Sequence, residues 1–247
     1  MRTSASELKP SMKVTSWCVC VALLIAPWAN AMSVDPFQAS FAVSRNGKQL
    51  GTMKMQLSHT ASGEALFVSH TEGKGGLAGF LGVTIDERSQ LRIDDDGIST
   101  RRYRYQQDMV GRSRKRGLDV ADDGSISEND NGKTWQYRAE GVVLDRHSVV
   151  LGIAVRLAGG IANGSVFDLP VAAKGTAENW RFLVVGSEEV ETGNGRMTAV
   201  RVERVRETSD RKTVSWHAAD FSFLPIKVEQ IEPDGERLMS VLQSFKE

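Results

Sequence analysis

Cysteine is nearly absent from this 247-residue chain: its two examples, Cys18 and Cys20, both sit in an apolar run near the N-terminus. The remainder therefore has no disulfide framework, no thiol nucleophile and no cysteine metal site. Histidine is sparse as well, and His59, His70, His147 and His217 show neither the i, i+4 pairing nor the carboxylate grouping of a zinc site. Neither sign of charge is in excess, with 31 basic and 31 acidic residues. Net charge thus gives no reason to expect nucleic acid or an anionic membrane as a partner. Proline- or serine-rich linkers, low-complexity tracts and repeats of about 20 to 50 residues are all missing, so a single domain is the simplest division. No apolar run reaches the roughly 20 residues needed to span a bilayer.

The apolar run that does exist has a recognisable form. In "MKVTSWCVCVALLIAPWANA", Met12 to Ala31, Lys13 precedes an apolar stretch from Val14 to Ile25, and "ANA" supplies the small residues of a peptidase site. This pattern predicts an export signal cleaved near Ala31, with Met1 or Met12 as its start. Neither cysteine follows the Leu and small residue that a bacterial lipoprotein signal requires. Residues 32–247 then form the mature domain, and with Arg2, Glu7, Lys9 and Lys13 removed its formal charge is about −2.

Turn signals are what this domain has in plenty. Asn46-Gly47, Asn131-Gly132, Asn194-Gly195 and Asp234-Gly235 each separate runs that read as strands, and Asp96-Gly97 and Asp123-Gly124 add two stops. Such pairs suit the positive φ angles of tight hairpins. They predict an antiparallel meander: a mainly β fold, a curved sheet or partial barrel. In "FQASFAVS" the residues Phe37, Ala39, Phe41 and Val43 share a face, whereas "RMTAVRVERVRE" changes polarity midway, as a bulged or bent strand would.

One segment departs from period two. Within "LDRHSVVLGIAVRLAGG", Val149, Ile153, Arg156 and Leu157 recur at helical spacing and Gly159-Gly160 ends the run, which predicts one helix over about 145–158 with Asp145 as N-cap. The stretch 236–246 fits either a strand or a helical stripe of Leu238, Val241, Leu242 and Phe245, and the preceding Pro-Asp-Gly favours the strand.

Catalytic signatures do not emerge. Ser165 in "NGSVF" lacks the far glycine of a nucleophile elbow. The acidic groups at Asp94 to Asp96, Asp122-Asp123 and Glu188-Glu189 lie near turns, where carboxylates are solvated. "TEGKGGLAGFLG", Thr71 to Gly82, is glycine-rich but has no G-K-S/T ending and reads as a loop between strands. No catalytic residue, metal or cofactor is assigned, and an enzyme would need His217 or His147 to meet a carboxylate and a serine in one cleft. The sharper feature is basic. "RRYRY" and "GRSRKRG" place Arg101, Arg102, Arg104, Arg112, Arg114, Lys115 and Arg116 close together, with Asp108 the one opposing acid among them. As a hairpin over 101–116 they form a cationic stripe, with Arg102 and Arg104 on one face and Tyr103 and Tyr105 on the other.

The segments "LDRHSVV", "FDLPV", "WRFLVVGSEEVETGNGRMTAVRVERVRE" and "TVSWHAADFSFLPIKVEQIEPDG" resemble the DUF3108 family, exported bacterial proteins of unassigned biochemical role. The likeness covers residues 144–245 best and reaches the N-terminal half through "FAVSRNGKQLG". It implies a periplasmic, mostly antiparallel β protein with one helix against a curved sheet, and brings no catalytic residue with it. The expectation is a non-enzymatic envelope protein whose concave apolar face, with Trp180, Trp216, Phe221 and Phe223, receives a lipid-like ligand. The alternative is a protein- or acidic-glycan-binding module that uses Arg102, Arg104, Tyr103 and Tyr105 of the basic hairpin. Ligand identity and oligomeric state are not legible in the chain.

Overall fold

A computed structural model describes residues 34–60, 64–74, 82–94 and 97–247. The predicted export signal, residues 75–81 of the glycine-rich stretch, and Asp95 and Asp96 lie outside the described residues.

Among the described residues fourteen strands follow one another in a single antiparallel sheet: β1 Phe37–Arg45, β2 Lys48–His59, β3 Glu64–Gly73, β4 Thr84–Asp94, β5 Gly97–Met109, β6 Arg112–Val120, β7 Ser125–Asp130, β8 Lys133–Arg138, β9 Val166–Ala173, β10 Thr176–Thr192, β11 Gly195–Val205, β12 Lys212–Ala218, β13 Leu224–Ile231 and β14 Arg237–Lys246. The one long excursion lies between β8 and β9 and holds helix α1, Val149–Ala158. Spatial order runs β8 through β1, then β14 back to β9, because β1 pairs with β14. The stretch 236–246 is therefore a strand, as its turn signal favours.

The turns explain the meander. Asn46 and Gly47 (φ 49° and 79°) and Asn131 and Gly132 (φ 54° and 92°) both place two successive residues in the left-handed region that a two-residue hairpin requires. Lys174 and Gly175 (φ 59° and 82°) do the same without an Asn to announce it. Their amides donate to the Glu128 carboxylate at 2.7 and 2.8 Å, which holds the turn against β7. The bulge expected in "RMTAVRVERVRE", which is β11, lies instead on its partner β10, where the register to β11 shifts between Val184 and Gly186.

The sheet does not close, since β8 and β9 are its unpaired edges. Instead the crossing segment links distant strands. Thr100 of β5 donates to the Val143 carbonyl at 2.8 Å, Leu144 donates to the Pro170 carbonyl at 2.9 Å, and Ala172 donates to the Leu144 carbonyl at 2.8 Å. The helix begins later than its periodicity suggests, with Ser148 at the N-cap. Asp145 still binds free amides, but those of His147 and Ser148 in the turn before the helix, at 2.8 and 3.0 Å. Gly152 lies so close to Leu144 and Leu169 that any Cβ there would meet their methyl groups. This close approach seats α1 on the core that Phe41, Leu57, Phe67, Leu91, Val171, Val184, Ile226 and Leu242 build on one face of the sheet.

Candidate functional site

Alternation gives strands β1 to β6 two unlike faces. Cross-strand register aligns Ala39, Met55, Ser69, Glu87, Tyr105 and Arg116 in one row on the core side. On the opposite side it aligns Ser40, Lys54, His70, Asp86, Gln106 and Lys115, and beside them Gln38, Gln56, Val68, Arg88 and Arg104. Ser244 and Lys246 of β14 extend both outer rows. A trough of about 1070 Å³ runs along these outer rows. Seven strands border it, so it is about 28 Å long at 4.7–4.9 Å per strand.

The trough is cationic. Lys54, Arg88, Arg104, Lys115 and Lys246 line it, and Asp86 is the one acid of the outer rows. Asp86 is engaged by His70 Nδ1 at 2.7 Å. Arg104 Nη2 donates to both Asp119 oxygens, at 2.8 and 3.0 Å, and Arg102 Nε donates to the same carboxylate at 2.7 Å. These two hydrogen-bonded guanidiniums hold Asp119 below the ordinary carboxylate range, overcoming the burial that opposes them. Lys54, Arg88, Lys115 and Lys246 form no ion pair with the described residues.

The core side of the same strands carries a buried polar knot. The Asp145 carboxylate accepts from Ser89 Oγ (3.1 Å), Thr100 Oγ1 (2.8 Å), Ser148 Oγ (3.0 Å) and the amides of His147 and Ser148. It is fully buried, and desolvation raises its pKa against the pull of these donors. Ser89 Oγ also lies 2.9 Å from His147 Nδ1. Because the serine proton goes to the carboxylate, the imidazole donates from Nδ1, and its ring stacks on Phe67 at 4.1 Å. Burial pulls His147 down to about 3, so the ring is neutral. Next to it Tyr103 donates to Glu87 at 2.6 Å, and burial raises the pKa of both groups.

Serine, histidine and aspartate thus do meet, which is what an enzyme reading asks for, but in the wrong order. A hydrolytic triad needs the imidazole between hydroxyl and carboxylate. Here the hydroxyl is in the middle, and Ser89 has 0% exposure. The arrangement can anchor the turn before α1 to β4 and β5; it offers a substrate no nucleophile. His217 is likewise structural: it donates from Nδ1 to the Phe223 carbonyl and accepts at Nε2 from Ser215, each at 2.8 Å. Burial lowers it to about 4.

The residues singled out from sequence fall in several places. Arg104 and Tyr105 border the trough, where Arg116 lies over the Tyr105 ring at 4.8 Å. Arg102 is at its rim through Asp119, and Tyr103 points into the knot. The four expected pocket aromatics do not share a pocket. Trp180 lies on β10 beneath Arg204. Trp216 is buried on β12, donates to Glu188 and lies under Lys227 and Arg201. Phe223 follows a 3-10 turn (Ala219–Phe221) with φ 55° and packs on the core. Phe221 alone borders an apolar niche, with Phe37, Phe41, Met55, Leu242 and Phe245, whose volume is about 10 Å³. The concave apolar face is filled by its own side chains. Beyond Asp108, acids outside the basic hairpin balance it: Asp119, Asp122 and Asp130 pair with Arg101, Arg102, Arg104, Arg114 and Arg116. They lie on β6, β7 and the turn between them, close in register though later in sequence.

Lys54, Arg88 and Lys246 of the trough carry no local signal, because each comes from a different strand and only register unites them. Ser89 and Thr100 of the knot were equally silent. Among the described residues no group of three or more potential ligands gathers for a metal. No helix of the described residues is long and apolar enough to cross a membrane.

The model of the family described as "Protein of unknown function (DUF3108)" matches residues 37–242. Among solved structures the chain is similar to a β-barrel-like protein of the domain of unknown function DUF1849 from Brucella abortus, at 10% identity and a TM-score of 0.55, over 85% of this chain and 97% of that one. A DUF1089 family protein from Pseudomonas aeruginosa is matched at 13% identity and a TM-score of 0.37, over 75% and 88% of the two chains. The first of these supports the fold alone. None of the curated proteins matches. With its model spanning nearly all the strands, this chain belongs to the DUF3108 family, a family of unknown function.

Proposed function

We propose that this is an exported, non-enzymatic protein of the bacterial periplasm whose cationic trough binds an acidic, hydrogen-bonding polymer of the envelope, of the acidic-glycan class. One observation carries the reading: five cations of the outer rows line the seven-strand trough, and the one acid of those rows is already engaged by His70. Gln38, Gln56 and Gln106 stand among those cations, so hydroxyl-rich ligands find donors and acceptors beside the charges. Each exposed ion pair contributes only about 0–1 kcal/mol. An extended polyanion that meets several at once adds them and becomes sensitive to salt. Export rests on the N-terminal signal pattern. A lipid-like ligand has less support, because the apolar niche of about 10 Å³ is far below the several hundred Å³ typical of ligand sites.

The test is binding of the chain to polygalacturonate, with neutral dextran as control, across a salt series. The reading expects binding to polygalacturonate that weakens steeply with salt, little to dextran, and loss of at least tenfold in the Lys54→Ala, Arg88→Ala, Lys115→Ala triple variant. Equal binding to both polymers, or an unaffected triple variant, would overturn it.

A further inference from the structure

A second cationic arrangement lies away from the trough. On β10 Trp180, Phe182 and Val184 alternate on the core face, and register sets Arg204 opposite Phe182 and Val202 opposite Val184. Arg204 therefore points to the core side where the apolar strip ends. Its Cζ is 3.3 Å from the centre of the Trp180 ring, so the guanidinium plane is fixed by stacking. Yet Arg204 forms no hydrogen bond or ion pair with the described residues, and its Nε is buried without a partner. A planar fork held flat on a ring with its donors unused is a rare condition for a half-buried arginine.

Two neighbours deepen the imbalance. Arg146 is flanked by the buried Asp145 and His147, so its backbone is tied down by the polar knot. It too lacks a hydrogen-bond or ion-pair partner among the described residues, and its field reaches Arg204 as well as Glu87 and Tyr137. Arg206 is anchored by the Arg211 carbonyl (3.1 Å) and Thr213 Oγ1 (2.9 Å). The acid that acts on Arg204 is Glu178, and Glu178 is held by Trp180 Nε1 at 3.2 Å. First burial and then Arg206 depress Arg204 to about 10.

We infer that Trp180, Arg204 and Arg146 form a receptor for one oxyanion, a phosphate or a carboxylate, that receives bidentate hydrogen bonds from the stacked Arg204 fork and charge from Arg146. Stacking uses the face of the guanidinium and leaves its edge for the ligand, the geometry that favours arginine over lysine for such groups. The receptor shares no residue with the trough and stands whether or not the trough binds a polymer.

The test titrates the whole chain with inorganic phosphate and, separately, glucuronate, read by calorimetry and by thermal unfolding. The expected result is saturable binding of at least one anion with a rise in Tm, and at least a tenfold loss of affinity in both Arg204→Gln and Arg146→Gln. Tighter phosphate binding would assign a phosphate-bearing ligand, and tighter glucuronate binding a sugar acid. Without anion, Arg204→Gln is expected to unfold no lower than wild type, because it removes an unbalanced charge. Lys212→Gln, on exposed β12 surface outside both cationic arrangements, should bind like wild type. Absence of binding by wild type, unchanged affinity in the two variants, or a lowered Tm of Arg204→Gln with binding retained would overturn the inference.

Discussion

The two faces of β1 to β6 are made from alternate residues of the same strands and differ in almost every property. The core side holds Phe67, Leu57 and Leu91 at 0–1% exposure and buries a polar knot centred on Asp145. The outer side leaves Lys54, Arg88 and Lys115 in water around the trough. Stability and recognition are thereby separated by parity alone: moving one position along a strand passes from a residue the fold needs to one it can spare.

The comparison breaks most sharply at the knot. Asp145→Ala removes an acceptor from five donors and is expected to cost roughly 4 kcal/mol or more, read as a lowered urea midpoint. Phe67→Ala, which strips the ring from under His147, should cost about 3–5 kcal/mol. A loss below about 1 kcal/mol in either would mean the core side is not what holds the sheet.

Acid sharpens the same contrast. His147 and His217 have folded pKa values near 3 and 4, below the ordinary 6.5, so between those limits the unfolded chain binds more protons than the folded one. Their stabilisation is present at neutral pH and is lost as pH falls from about 6.5 toward 4, at up to about 1.4 kcal/mol per unit for each ring. Glu87 and Asp145 are raised by burial and work in the opposite sense. The net expectation is a falling unfolding midpoint from pH 6.5 to 4.5; a flat profile would contradict the buried neutral rings.

Smaller effects come from the turns and the trough. Gly175 has φ 82° and lies against the Trp135 ring, so Gly175→Ala should cost about 2 kcal/mol. Lys54→Ala and Arg88→Ala should each change stability by less than about 0.5 kcal/mol.

Much of the fold could be read from the chain because it is written locally. Asn46-Gly47 and Asn131-Gly132 carry their turn geometry in the residues themselves, and Val149 to Leu157 carry a helical period. Lys174-Gly175 escaped notice because its left-handed lysine is stabilised from outside, by Glu128. The candidate site was legible only in part, through Arg104 and Tyr105. Its remaining cations lie on strands far apart in sequence, and the arginines' acid partners become neighbours only through register. The aromatics misled for a related reason: Trp180 and Trp216 are held under cations, while Phe221 and Phe223 pack on the filled core.

The most direct measurement is a lysine-acetylation footprint of the whole chain with and without polygalacturonate. The account predicts protection of Lys54, Lys115 and Lys246 in the trough, with Lys133, Lys174 and Lys212 unchanged. Uniform protection, or protection confined to Lys133, Lys174 and Lys212, would contradict it.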